Sequence, residues 1–215
     1  MKIQNLTKYY GDKLIFKDFN LEMQDNTCLG ILGISGSGKT TLLNCLAGIT
    51  DYQGSIQGVT LPVSFVFQTD RLLPNLTVKD NLKFFCPNAD IESALKSVGL
   101  ENDGDLYPKQ LSGGMARRVA LLRAFLFESN LMLLDEPFRN LDVAYKLKSE
   151  EIFKELRKKD NRSCILVTHD VGEAVRLCDR IIILGDGKVV FDGKTDTDKK
   201  ELEKEITDIL LNLVE

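Results

Sequence analysis

The octapeptide GISGSGKT, running from Gly33 to Thr40, fits the phosphate-binding pattern G-x-x-x-x-G-K-[ST]. It stands between an apolar run at residues 28–32 and a helix-like run at residues 41–47. That order of strand, glycine turn and helix restricts the fold more than any other feature. The glycines let successive backbone N–H groups turn toward one anion, and the helix start adds a partial positive charge. Lys39 reaches the outer phosphates and the Thr40 hydroxyl can ligate Mg²⁺. The strand feeding such a loop is of the buried, central kind found in α/β sheets. A nucleoside triphosphate is therefore the expected ligand.

The 215 residues suffice for one domain with a sizeable core. With 28 basic and 32 acidic residues the net charge is −4, and no long single-sign block occurs, which argues against a broad nucleic-acid surface. Five scattered cysteines without a C-x-x-C pair suit reduced thiols and a cytoplasmic compartment. There is no apolar signal core at the N-terminus, and no run approaches the roughly 18 apolar residues a membrane span needs. Work at a membrane would require a partner.

β-rich runs at residues 3–10, 14–23 and 28–32 are followed, past the loop helix, by strands at 54–58 and 63–67. From residue 77 to about residue 127 the periodicity is helical, with Thr77, Asp90 and Ser112 as N-caps of three helices. Strands return at 131–134, 164–168, 180–184 and 188–191, alternating with helices at 142–159 and 171–177. An α/β core thus carries a helical insertion. The last segment, 198–213, spaces Leu202, Ile206, Ile209, Leu210 and Leu213 as one helical stripe, expected to pack on its own domain.

In LMLLDEP, residues 131–137, four apolar residues run into two carboxylates. Acid at the end of a buried strand is costly unless an ion or polar partner meets it. Beside a triphosphate, Asp135 would hold the metal's water shell and Glu136 would orient and deprotonate the attacking water.

With LSGGM, from Leu111 to Met115, running on into Ala116-Arg117-Arg118-Val119, the chain resembles the nucleotide-binding subunit of an ABC transporter over essentially its whole length. A second glycine element opening a helix shortly before the acidic strand is far more specific than a phosphate loop. The resemblance implies a P-loop NTPase core of ABC-ATPase type with an antiparallel β subdomain and an inserted α-helical subdomain. The whole of 1–215 would be one domain, with its core at 1–70 and 129–215 and the insertion at about 71–128.

The resemblance also implies roles for single residues. ATP and Mg²⁺ would be held by Gly33, Ser35, Gly36, Ser37, Gly38, Lys39, Thr40 and Thr41, with Tyr10 stacking on adenine, although neighbouring Tyr9 and simple core packing are alternatives for that ring. The metal set is Thr40, Gln68 and Asp135; the catalytic set is Glu136, His169 and Gln68, the glutamine following strand VSFVF and the histidine standing in Thr-His-Asp. Ser112, Gly113 and Gly114 would act in trans on the γ-phosphate of a second ATPase subunit, as a head-to-tail homodimer. Asp142 belongs to the loop crossing that interface, where Arg139 and Asn140 replace the small residues common in relatives, and Met115 replaces the commoner glutamine.

RLLPNLTVKDNL together with DEPF resembles importer ATPases of the nitrate, sulfonate, taurine and pyrimidine-precursor group. Membrane permease subunits and a substrate-binding protein are the implied partners, with the chain peripheral at the cytoplasmic face. A soluble non-transport ABC ATPase and an exporter ATPase are the alternatives. Leu72, Leu73 and Leu76 serve either permease docking or packing of the insertion.

Overall fold

The computed structural model describes residues 1–196 and 198–213. They form two compact units. The first takes Met1–Val63, Ser129–Glu136 and the described residues of Arg162–Glu215; the second takes Ser64–Glu128 and Pro137–Asn161. The second unit thus holds all of residues 71–128 together with the helix at 143–157.

In chain order the elements begin with β1 (Lys2–Tyr10), β2 (Lys13–Glu22), β3 (Cys28–Gly33), α1 (Lys39–Leu46), β4 (Gln53–Gln57) and β5 (Ser64–Val66). The helical stretch follows as α2 (Val78–Phe85), α3 (Ile91–Ser97), a 3₁₀ turn at Pro108–Gln110 and α4 (Gly113–Leu126). The remainder is β6 (Leu131–Asp135), α5 (Val143–Arg157), β7 (Ser163–Val167), α6 (Val171–Leu177), β8 (Arg180–Gly185), β9 (Lys188–Lys194) and α7 (Lys199–Asn212).

Within the first unit, β2-β1-β4 form an antiparallel sheet. A second sheet runs β6-β7-β3-β8-β9, parallel throughout except for β9, which pairs antiparallel to β8. Every residue of β3, β6 and β7 is buried, which is why these strands read as near-continuous apolar runs, polar only at Asp135 and Ser163, rather than alternating ones. Register places Asp135 opposite Val167 and Gly33 opposite Leu184, so the phosphate loop and the acidic pair leave the same carboxyl edge of the sheet. On α7, Leu202 and Ile206 are buried and the helix packs against α6, as its stripe requires.

The second unit is organised around α4. Thr77, Asp90 and Ser112 cap α2, α3 and α4, each accepting the backbone N–H three residues on, from Asp80, Ser93 and Met115. Val78, Leu82, Leu95, Val119 and Leu122 form the centre of an apolar cluster that Leu72, Leu111 and Ile152 partly cover. Phe153 of α5 meets Phe125 and Phe138 at ring-centroid distances of 5.8 and 6.1 Å.

All five cysteines are free and buried. Desolvation pushes the Cys45 thiol up to about 11. Among the described residues no helix is long and apolar enough to cross a membrane.

Candidate functional site

The loop between β3 and α1 is shaped by close packing as much as by its ligand chemistry. Gly38, the N-cap of α1, has φ of 100°, and a Cβ there would sit 2.6 Å from the buried Phe16 ring. A larger residue there would be strained at that φ and would have to displace the Phe16 ring. Gly33 and Ser37 are buried, while Ser35, Gly36 and Thr40 are exposed and Thr41 is half-buried. Lys39 folds back so that its ammonium donates to the carbonyls of Gly33 and Ile34, at 2.7 and 2.8 Å. Burial lowers the Lys39 pKa, with Glu136 and Asp135 opposing that shift.

Beside the loop, the Thr40 hydroxyl donates to Asp135 Oδ2 at 3.0 Å. Burial raises the pKa of Asp135 and neighbouring Glu136 adds to the rise, against the Thr40 hydrogen bond and the Lys39 charge. Glu136 adopts φ of 47°, in the left-handed region, while its N–H still donates to the Val167 carbonyl at 2.9 Å. The strand pairing therefore continues one residue past β6 while the backbone turns aside. His169, just past β7, places Nδ1 3.3 Å from Glu136 Oε1, and its ring is largely exposed. Lys39, Thr40, Asp135, Glu136 and His169 thus meet in one polar cluster on the first unit.

Tyr10 ends β1 with its ring about half exposed, and so does Tyr9. Their backbones pair alike across the hairpin, with Leu14 and Lys13, but the Tyr10 ring also carries the Lys8 ammonium 4.7 Å from its centroid. Lys8 is itself buried and paired with Asp51 at 2.7 Å.

The remaining candidates lie on the second unit. Ser112 and Gly113 are exposed at the start of α4, and Gly114 is buried, where a Cβ would come within 2.9 Å of the Tyr145 ring. Asp142 is exposed and precedes α5 without a side-chain cap bond, its carbonyl accepting from Lys146 at 2.8 Å. Arg139 and Asn140 are exposed just before it. Gln68 is exposed, and its carbonyl is gripped from α4 by Arg117 at 2.8 Å. Arg117 and Arg123, which hold this loop, were not among the expected site residues. Their sequence signal is a basic residue on the buried side of a helix, which has to find buried acceptors.

Residues 16–139 match the ABC transporter family. The chain belongs to that family, as one of its ATP-hydrolysing subunits. It is similar to the aliphatic sulfonates import ATP-binding protein SsuB 1 of Paracoccus denitrificans (strain Pd 1222), 41% identical over 196 residues that make up 88% of this chain and 81% of that one. Among solved structures it resembles a dimeric bacterial ABC transporter cassette, with a TM-score of 0.78 and 30% identity over 91% of this chain and 99% of that one. A post-hydrolysis dimer bound to ADP and Pi matches the same shares with a TM-score of 0.76 and 31% identity.

Proposed function

We propose that two copies of this chain close head to tail around two ATP molecules and that hydrolysis reopens them, driving import through a separate membrane permease. The observation that carries this reading is the cluster of Lys39, Thr40, Asp135, Glu136 and His169 at the carboxyl edge of one sheet. The loop N–H groups, the α1 start and Lys39 supply the positive field a triphosphate needs. Among the described residues no three His, Cys, Asp or Glu side chains are grouped to hold a metal by themselves. That suits Mg²⁺, which binds through one or two protein oxygens plus substrate phosphates. Thr40 and Gln68 would ligate it, with Asp135 holding its water shell; bound there, it would neutralise charge on the phosphates.

Glu136 then takes the proton of the attacking water, and His169, 3.3 Å from its carboxylate, orients that acid and contacts the γ-phosphate. Tyr10, which ends β1 with its ring half exposed, stacks on the adenine. Ser112, Gly113 and Gly114 bind the γ-phosphate held by the other copy, and Asp142 crosses between copies. Loss of the last phosphate removes the anion on which both copies close.

Import follows from the likeness to sulfonate-import ATPases. It implies a permease and a substrate-binding protein as partners and a place at the cytoplasmic face of the membrane. The permease and its binding protein would choose the cargo.

The test is light scattering of Glu136→Gln with and without Mg-ATP, beside turnover of the wild type. An ATP-dependent doubling of mass, with turnover in the wild type and a loss of roughly 10²- to 10⁴-fold in the variant, is the expected result. Full turnover by the variant would remove Glu136 from its role.

A further inference from the structure

Surface loops ordinarily leave their carbonyls to water. The loop after β5 does not. Four of its carbonyls are taken by two arginines of α4: Arg117 donates to Phe67 at 2.9 Å and Gln68 at 2.8 Å, and Arg123 donates to Asp70 and Arg71, each at 2.9 Å. Arg117 Nε also lies 3.1 Å from the Asp70 carboxylate. Arg117 is buried and Arg123 half-buried, and burial lowers the pKa of both while Asp70 opposes it. One buried and one half-buried guanidinium beside a single carboxylate depend on those carbonyls for satisfaction.

The loop is also closed from its other side. The Arg71 guanidinium lies 3.7 Å from the Phe67 ring centroid, and Phe67 stacks on Phe65 at 4.1 Å. Arg71 itself is held at φ of 45°, a conformation a flexible loop would relax. The grip is on the backbone, and Gln68 itself is exposed.

We propose that Arg117 and Arg123 are positioning residues for hydrolysis: they fix the 67–71 backbone to α4 so that Gln68 presents its amide in one orientation. This rests on the reading of Gln68 as a residue acting on the metal and the attacking water. Because α4 begins at Ser112, the clamp also makes the Gln68 loop and the signature residues parts of one rigid piece.

A double-mutant cycle on the full chain tests it. Arg117→Met with Arg123→Met should lower kcat roughly 10- to 100-fold, as misplacement of a reacting group does, with KM for ATP changed less than about twofold. Adding Gln68→Ala to that pair should cost little more, because all three act through one amide. Arg118→Met is the control: Arg118 is buried on the same helix but donates to Val98 and Gly99, at 2.6 and 3.1 Å. Its effect should multiply with that of Gln68→Ala. Circular dichroism and melting curves monitor folding, and Arg117→Lys, which cannot fork to both carbonyls, carries the same cycle with a milder change and should retain an intermediate kcat.

Multiplying effects of the arginine and glutamine changes, or wild-type kcat in the arginine variants while Gln68→Ala loses turnover, would overturn the clamp and leave the role of Gln68 standing. Full turnover by Gln68→Ala would overturn both.

Discussion

The hydroxyl of Thr40 donates to the carboxylate of Asp135 across 3.0 Å, tying the first turn of α1 to the last residue of β6. Burial nevertheless outweighs this bond, and the Asp135 pKa is raised. A raised native pKa means that the carboxyl favours folding below its unfolded value, about 3.9, and loses that contribution as pH rises through the native value. Asp135→Asn should therefore flatten the dependence of melting temperature on pH as pH rises from about 4. It should leave the protein no less stable at neutral pH while turnover collapses. Melts across pH with parallel slopes for the two proteins would contradict this.

Lys39 presents the opposite sign for a base. Its lowered pKa records an ammonium that burial disfavours, a cost present at neutral pH and relieved as pH rises through the native value to the ordinary lysine value. Lys39→Met should melt at or above the wild-type temperature yet bind ATP more weakly by about 3 kcal/mol, roughly 100-fold, for the loss of charge-assisted phosphate contacts. Calorimetric titration beside thermal melts reads both. A variant that loses stability and keeps affinity would show the lysine to be structural.

Gly113 and Gly114 are chemically alike and sterically opposite. Nothing lies within 4 Å of a Cβ on Gly113, whereas one on Gly114 would meet the Tyr145 ring at 2.9 Å. Gly113→Ala should stabilise α4 by up to about 1 kcal/mol, so a fall in turnover would support the proposed γ-phosphate contact rather than a loss of folding. Gly114→Ala should be destabilising by about 1–3 kcal/mol through overpacking, and Tyr145→Ala should restore much of that. Denaturant midpoints of the single and paired variants decide between the two.

Two polar residues at helix starts separate in the same way. Ser112→Ala removes a cap bond of 3.2 Å to Met115 and should cost about 1 kcal/mol. Asp142 makes no cap bond with its side chain, so Asp142→Ala should change stability by less than about 0.5 kcal/mol. A loss of ATP-dependent dimerisation in Asp142→Ala without a change in melting would assign the residue to the interface.

The elements of the first unit are largely legible because its parallel strands are buried on both faces and must therefore be apolar along most of their length, as in CLGILG and in LMLLD up to Asp135. Caps were equally readable: Thr77, Asp90 and Ser112 each combine a short polar side chain with a helical pattern immediately after it. What periodicity cannot carry is the identity of a long-range partner. The bond of Glu136 to Val167 and the fates of Arg117, Arg123 and Lys8 depend on groups tens of residues away.

The burial of all five thiols gives the chain a practical property. A maleimide reacts with accessible thiolate, and these side chains offer almost none, with Cys45 held in its protonated form to about 11. A cysteine introduced at an exposed position such as Ile49 or Leu211 would stand out chemically against a silent background. The wild-type sequence can therefore take a single fluorophore as it is, and the approach of two labelled copies can be followed by energy transfer.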